Sequence, residues 1–267
     1  MDLISRMLLL SGRDLELLPG VAVRHPTVTD ILGINNGFLC EDYYWTYVFS
    51  ILSDPYDNMV YLDDNHIDYE KVSAFDVFML KWNDAQKDEV ANRDKHKQLG
   101  ASPLSVLRDS LSFFFGEHRF GFSKVGGQIV LIDLDDPKWM VSKDAFVLAT
   151  EFITKCNCIV RDDKINPSSP WAKKVLIDDK RMEEKKRARQ GFQKEEKAER
   201  IAESLATVFA GGAGTITPEN YDHVHIYQLL STAHSVQRQM VVQSMLNGIY
   251  TGMMKADKLS DKELRWV

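Results

Sequence analysis

Between Ile226 and Ile249 the apolar residues Ile226, Leu229, Leu230, Ala233, Val236, Met240, Val241, Met245, Gly248 and Ile249 return at three- and four-residue steps. That spacing lines one face of an α-helix of roughly seven turns. No other segment restricts the fold as tightly, because so long a stripe has to be covered by something. Thr217-Pro218-Glu219 supplies a helix-start signal just before it.

The stripe is separated from the rest of the apolar sequence by a charged run. Between Lys173 and Glu203 there are eleven Lys or Arg and eight Asp or Glu, a net of +3. The signs are interleaved rather than blocked, with Glu183 four residues before Arg187 and Glu196 four before Arg200. This is the favourable helical orientation, at about 0.2–0.5 kcal/mol per pair. A nucleic-acid arm would show blocks of one sign, so the run reads as a solvated helical connector, with Gly191 as a hinge. Gly211 to Thr215 (GGAGT) follows as a flexible break; it lacks the Lys-Ser/Thr of a phosphate loop.

Upstream, apolar runs alternate with turn residues over the first 25 positions: MLLL, Ser11-Gly12, DLELL, Pro19-Gly20, VAVRH. The pattern predicts a small β-meander. Helical spacing then predicts helices over about 27–34, 39–52, 56–62, 75–82 and 104–115, the last opened by Ser102-Pro103. RFGFSKVGGQIVLIDL alternates on both sides of Val125-Gly126-Gly127 and reads as a hairpin. Ser142 caps a further helix running to about 154. The expected fold class is α+β, divided into a globular domain over 1–155, a polar loop and charged helical linker over 156–210, and a C-terminal amphipathic helical module over 211–267.

Composition removes several functions. A formal charge of −6 and a pI near 5.7 give no global attraction to nucleic acid or an anionic membrane. The apolar run Met7 to Leu10 is too short for a secretory leader, and no stretch approaches a membrane span. Cys40, Cys156 and Cys158 do not form a disulfide framework or a zinc pair. A soluble intracellular protein with reduced thiols is expected.

Residues with chemical potential each have a plainer reading. GFSKVG, with Ser123, has one residue too many for a nucleophile elbow and lies in a hairpin. His223 and His225 open a helix, where i and i+2 diverge, so capping is favoured over metal binding. His234 lies further along, and the remaining histidines, His25, His66, His96 and His118, lack nearby Cys or His partners in sequence. Asp133-Leu134-Asp135-Asp136 lacks the glycine and closing glutamate of a calcium loop and reads as a turn after a strand. Asp63-Asp64 and Asp162-Asp163 read the same way. Tyr43, Tyr44, Trp45, Tyr47 and Phe49 carry no interleaved base, which suits a core or the edge of a protein interface. No catalytic, cofactor-binding or metal-ligating residue is nominated.

The order of features is itself informative. HPTVTDI closes the meander; DYYWTYVFSILSDPYD and DYEKVSAFDVF fill the helical part. The FGFSKVGGQIVLID hairpin, Cys156-Asn157-Cys158-Ile159 with Asn166-Pro167, the charged run and ENYDHVHIYQLLSTAHSVQRQ follow. This order resembles a family of tail-morphogenesis proteins of long-tailed bacteriophages of Gram-positive bacteria, often described as tail assembly chaperones. The resemblance covers most of the chain, through motifs that are not chemically diagnostic. It implies a non-enzymatic protein of the infected host cytoplasm that binds tape-measure or tail-tube proteins during assembly. No cofactor, nucleic acid or membrane would be involved. A structural baseplate or neck component, associated with the virion and held by homo-oligomer contacts, is the alternative. A metal-dependent enzyme using His223, His225 and the Asp133 cluster is the outsider.

Ile226, Leu229, Leu230, Met240, Met245 and Ile249 are the candidate partner-binding residues. Methionine packs against irregular surfaces, and Met253 and Met254 extend the set. Packing of the same stripe on the first domain is the competing expectation.

Overall fold

The computed structural model describes residues 4–92, 102–160, 167, 169–189, 200–211 and 216–251, with backbone alone for 187–189. The chain is α+β; among the described residues, helices accompany two small antiparallel sheets.

The N-terminus departs from the expected meander. Arg6–Ser11 is a helix, α1, because the Ser5 side chain accepts from Leu8 N–H and left-handed Gly12 closes the last turn. Four consecutive apolar residues cannot distinguish strand from helix by period, and here the caps decide. Gly12 has φ +69, and a Cβ there would lie 2.3 Å from the His225 ring, so both conformation and space require glycine. β1 (Leu15–Leu18) and β2 (Val21–Val23) then form the hairpin expected around Pro19-Gly20.

Caps also set the helices that follow. Thr27 and Asp30 form a reciprocal box at α2 (Val28–Leu32), and a 3-10 turn over Ile34–Gly37 leads into α3 (Cys40–Leu52). After α4 (Met59–Asp64) and a 3-10 turn over Tyr69–Lys71, Ser73 and Asp76 box α5 (Ala74–Ala91). That helix outruns its expected end near 82 because its second half, NDAQKDEVA, continues along the surface. Ser102 caps α6 (Pro103–Phe115).

The second sheet orders β3 (Phe120–Val125), β4 (Gln128–Asp133) and β5 (Met140–Val141), with Gly126 and Gly127 at the tight turn. Ser142 opens α7 (Lys143–Cys156). Phe75, Phe78 and Trp82 of α5 meet Phe122 of β3 and Phe146 of α7, with ring centroids 5.2–6.4 Å apart. Edge-on and tilted ring pairs of this kind add to the burial of large rings. Buried Tyr44 donates to Asn157 Oδ1 at 2.6 Å and ties α3 to the end of α7.

The expected solvated connector is corrected in both of its described parts. Pro170–Arg189 is a helix, α8, and it docks on α4 through Ile177, which is 7% exposed. Arg200–Gly211 is a second helix, α9, whose Ile201 and Val208 enter the main core. Interleaved charge marked the solvent faces of these helices and hid the few positions that face inward. The Gly191 hinge, Asp162-Asp163, His96, Met253, Met254 and the break over 212–215 lie outside the described residues.

The long helix α10 spans Ile226–Tyr250, as the stripe predicts. Its first half packs into the same core as the elements of 1–155, through Ile226, Leu229 and Ala233. The core therefore does not stop at residue 211. Gly211 abuts this helix so closely that a Cβ would lie 2.2 Å from Val236 Cγ1. The backbone joins as well: Ile226 N–H donates to Pro26 O at 2.9 Å and Val28 N–H to Val224 O at 3.0 Å, around an antiparallel bridge between Thr27 and His225.

Candidate functional site

Among the described residues, no group of three His, Cys, Asp or Glu could hold a metal ion. Asp133 ends β4 and is occupied locally. Its Oδ2 meets His118 Nδ1 at 2.8 Å, and its Oδ1 accepts the N–H groups of Asp135 (3.0 Å) and Arg119 (3.2 Å). The bond from Asp135, then that from His118, holds the carboxyl below the usual range. Trp139 stacks on the His118 ring at 4.5 Å. This constellation fixes the base of the hairpin, as a turn after a strand would. Its His-Asp pairing was missed because the two residues are 15 apart in sequence.

His225 is the residue before the first turn of α10. Its N–H donates to Gln228 Oε1 at 3.3 Å, and Gln228 Nε2 donates onward to Leu10 O at 2.7 Å. Its Nδ1 lies 2.9 Å from His25 O, and since a carbonyl only accepts, that nitrogen carries the proton. His223 is exposed on a 3-10 turn, at 82% for its side chain. The two histidines thus serve helix entry and solvent, not a shared centre.

Beneath His225 lies His25, 1% exposed, with ring centroids 4.7 Å apart and Phe152 edge-on at 5.6 Å. Among the described residues, neither His25 ring nitrogen has a hydrogen-bond partner. Burial first, then the neighbouring His225, pull its pKa down to about 4. Buried Cys156, on α7, is held as the neutral thiol, its pKa raised by desolvation above all. Ser123 stands opposite Val130 on β3, a hairpin position.

The partner-binding residues named from the stripe are divided by the fold. Ile226 and Leu229 are fully buried and Leu230 packs against the core, so these three are corrected to core residues. The reason is the backbone junction with 26–28, which presses the start of the helix onto the domain. Met240 remains 43% exposed, with Met245 and Ile249 half-buried. Val241 and Tyr250 are exposed beside them in sequence.

A second apolar set surrounds the 3-10 turn before α3. Phe38 and Leu39 are 70% and 57% exposed, flanked by exposed Leu32 and Tyr43. Asn35, Asn36 and Leu39 all have positive φ. Asparagine tolerates this conformation, but leucine gives up about 1–2 kcal/mol in it. Backbone strain that places two large apolar residues in water makes this turn a candidate interaction surface. The sequence signal is Asn35-Asn36-Gly37 directly before Phe38-Leu39, a left-handed turn marker between the helices expected over 27–34 and 39–52. The aromatic patch splits as well: Tyr44 is core, whereas Tyr43 and Phe49 stay exposed.

In comparisons with known proteins, no family model, curated protein or solved structure matches the chain. Among the described residues, no helix is long and apolar enough to cross a membrane.

Proposed function

We propose that this chain is a non-enzymatic bacteriophage tail assembly protein, a chaperone that binds tape-measure or tail-tube protein in the host cytoplasm. The observation that carries the binding part is the strained turn presenting Phe38 and Leu39 to solvent. The exposed Met240 and Val241 on the outer half of α10 support it, being apolar residues that the protein's own core leaves uncovered. The tail-assembly part rests on the order of sequence motifs described above. An elongated helical client offers repeated apolar faces, and anchors of this size are the residues that dominate such contacts.

Co-expression of the full chain with the phage tape-measure protein, followed by affinity capture, tests the reading. Wild type should retain the client. Phe38→Ser with Leu39→Ser, or Met240→Lys, should cut retention by about ten-fold or more. Failure of the wild type to retain the client, or retention unaffected by both variants, would sink the reading. Stoichiometric amounts of the chain in purified virions would instead make it a structural component.

A further inference from the structure

Residues 54–72 form a small layer with its own apolar cluster, Met59, Val60, Leu62 and Tyr69 with Val77 of α5, separate from the main core. Across this layer lies α8, which faces it with the stripe Lys173, Ile177, Lys180 and Arg181, Leu176 packing beside the stripe. The spacing i, i+4, i+7, i+8 makes one helical stripe. Three of the four are cations, and Ile177 is the buried apolar anchor.

The floor they meet is acidic. Arg181 Nη2 lies 2.9 Å from Asp63 and 2.6 Å from Asp64. Lys173 Nζ pairs with Asp68 and, at 2.6 Å, with Glu70. Lys180 Nζ donates to Tyr56 O at 2.8 Å and lies 3.6 Å from Asp57. The ammonium groups of Lys173 and Lys180 also sit over the rings of Tyr69 and Tyr56, at 4.5 and 4.8 Å. The Tyr69 hydroxyl, 7% exposed as a residue, finds no hydrogen-bond partner among the described residues.

A groove of five carboxylates and two tyrosine faces is built for a basic helix, yet its present occupant fills it sparingly. α8 fully buries one apolar side chain, Ile177, with Leu176 half-buried beside it, leaves Trp171 and Met182 in water, and leaves the Tyr69 hydroxyl without a partner among the described residues. Partly exposed ion pairs are weak and screened by salt. A helix held largely by such pairs is released more readily than one held by a broad apolar face.

We propose that the groove of residues 54–72 is a binding site for a basic amphipathic helix of a partner protein. α8 is then the occupant supplied by the chain itself, displaced when that partner arrives. The partner presents Lys or Arg at the spacing of 173, 180 and 181 around one apolar residue, with a hydrogen-bond acceptor for Tyr69. This surface is distinct from the Phe38 turn and does not rest on the tail-assembly reading.

The test uses full-length protein and a labelled synthetic peptide of residues 170–189 as the basic-helix probe, read by fluorescence anisotropy. In about 0.05 M NaCl, Lys173→Glu with Arg181→Glu should bind the peptide about ten-fold or more tighter than wild type, whose groove is occupied. Adding Asp63→Lys and Asp64→Lys should abolish binding. Raising NaCl to about 0.5 M, where the screening length is roughly 4 Å, should weaken it about ten-fold. A folded variant that does not bind, or one that binds no better than wild type, overturns the proposal.

Hydrogen exchange on wild type decides the matter even if the variant fails to fold. Amides of 173–186 should exchange faster at the higher salt while those of α3 and α7 do not change; equal protection at both salts overturns it. Salt-sensitive wild-type dimers held by the same pairs would make a second copy the occupant and overturn the assignment to a different protein.

Discussion

At the scale of single residues, His25 is the position where burial and polarity conflict. The unfolded imidazole takes its proton near pH 6.5 and the folded one only near 4. Between those values the unfolded chain binds more protons, so stability is whole above about 6.5 and falls as the pH drops toward 4. The linkage amounts to at most about 3 kcal/mol. His25→Phe keeps a ring against Phe152 and removes the titration. Denaturant melts at pH 7 and pH 5 should therefore show a wild-type loss that the variant largely lacks; equal losses in both would exclude His25 as the source. None of this was legible in sequence. His25-Pro26 announces a turn, and turns are exposed by default, but this one is covered by a helix starting 200 residues later. The strained Leu39 was legible in principle, since Asn-Asn-Gly states the backbone that carries it.

At the scale of elements, the caps were the readable part. Thr27, Ser102 and Ser142 each open the helix their spacing predicts. Side-chain caps from distant sequence are invisible to such reading, and α9 depends on one. Glu41 of α3 accepts the N–H of Ile201 at 2.7 Å while holding Trp45 Nε1 at 3.1 Å, and Arg200 sits over the Trp45 ring. An acidic group at a helix N-terminus satisfies orphan amides and complements the dipole. Glu41→Ala should cost about 1–2 kcal/mol in denaturant unfolding. Its signature should be faster hydrogen exchange over 201–208 than over α5; a uniform change, or none, would show that the cap is not what holds the helix. The inward stripe of α8 escaped notice for the opposite reason. Its cations look solvated until they are set against the carboxylates of 57–70, more than a hundred residues away.

At the scale of the molecule, the α+β class followed from the change of period around Val125-Gly126-Gly127, which the hairpin register confirms. The course of the core did not follow, because a charged run and a glycine-rich stretch resemble a boundary whether or not the helices beyond them return. Here they return: Ile216, Ile226, Leu229 and Ala233 all lie in the main core. Burial of each larger side chain is worth about 1.5–3 kcal/mol, so losing the set approaches the whole stability of an ordinary domain. A chain ended at Gly211 should lack a cooperative melt and bind a hydrophobic dye; a sharp transition at the wild-type midpoint would show that the C-terminal helix is dispensable. The junction of 26–29 with 222–226 also has a consequence for biosynthesis. Ribosomes add roughly 5–20 residues per second, so His25 and Val28 are made roughly 10–40 s before Val224 and His225, which meet them. During that interval the nascent chain carries an open seam, and whatever protects it in the cell must stay bound until the segment around residues 224–226 has been made.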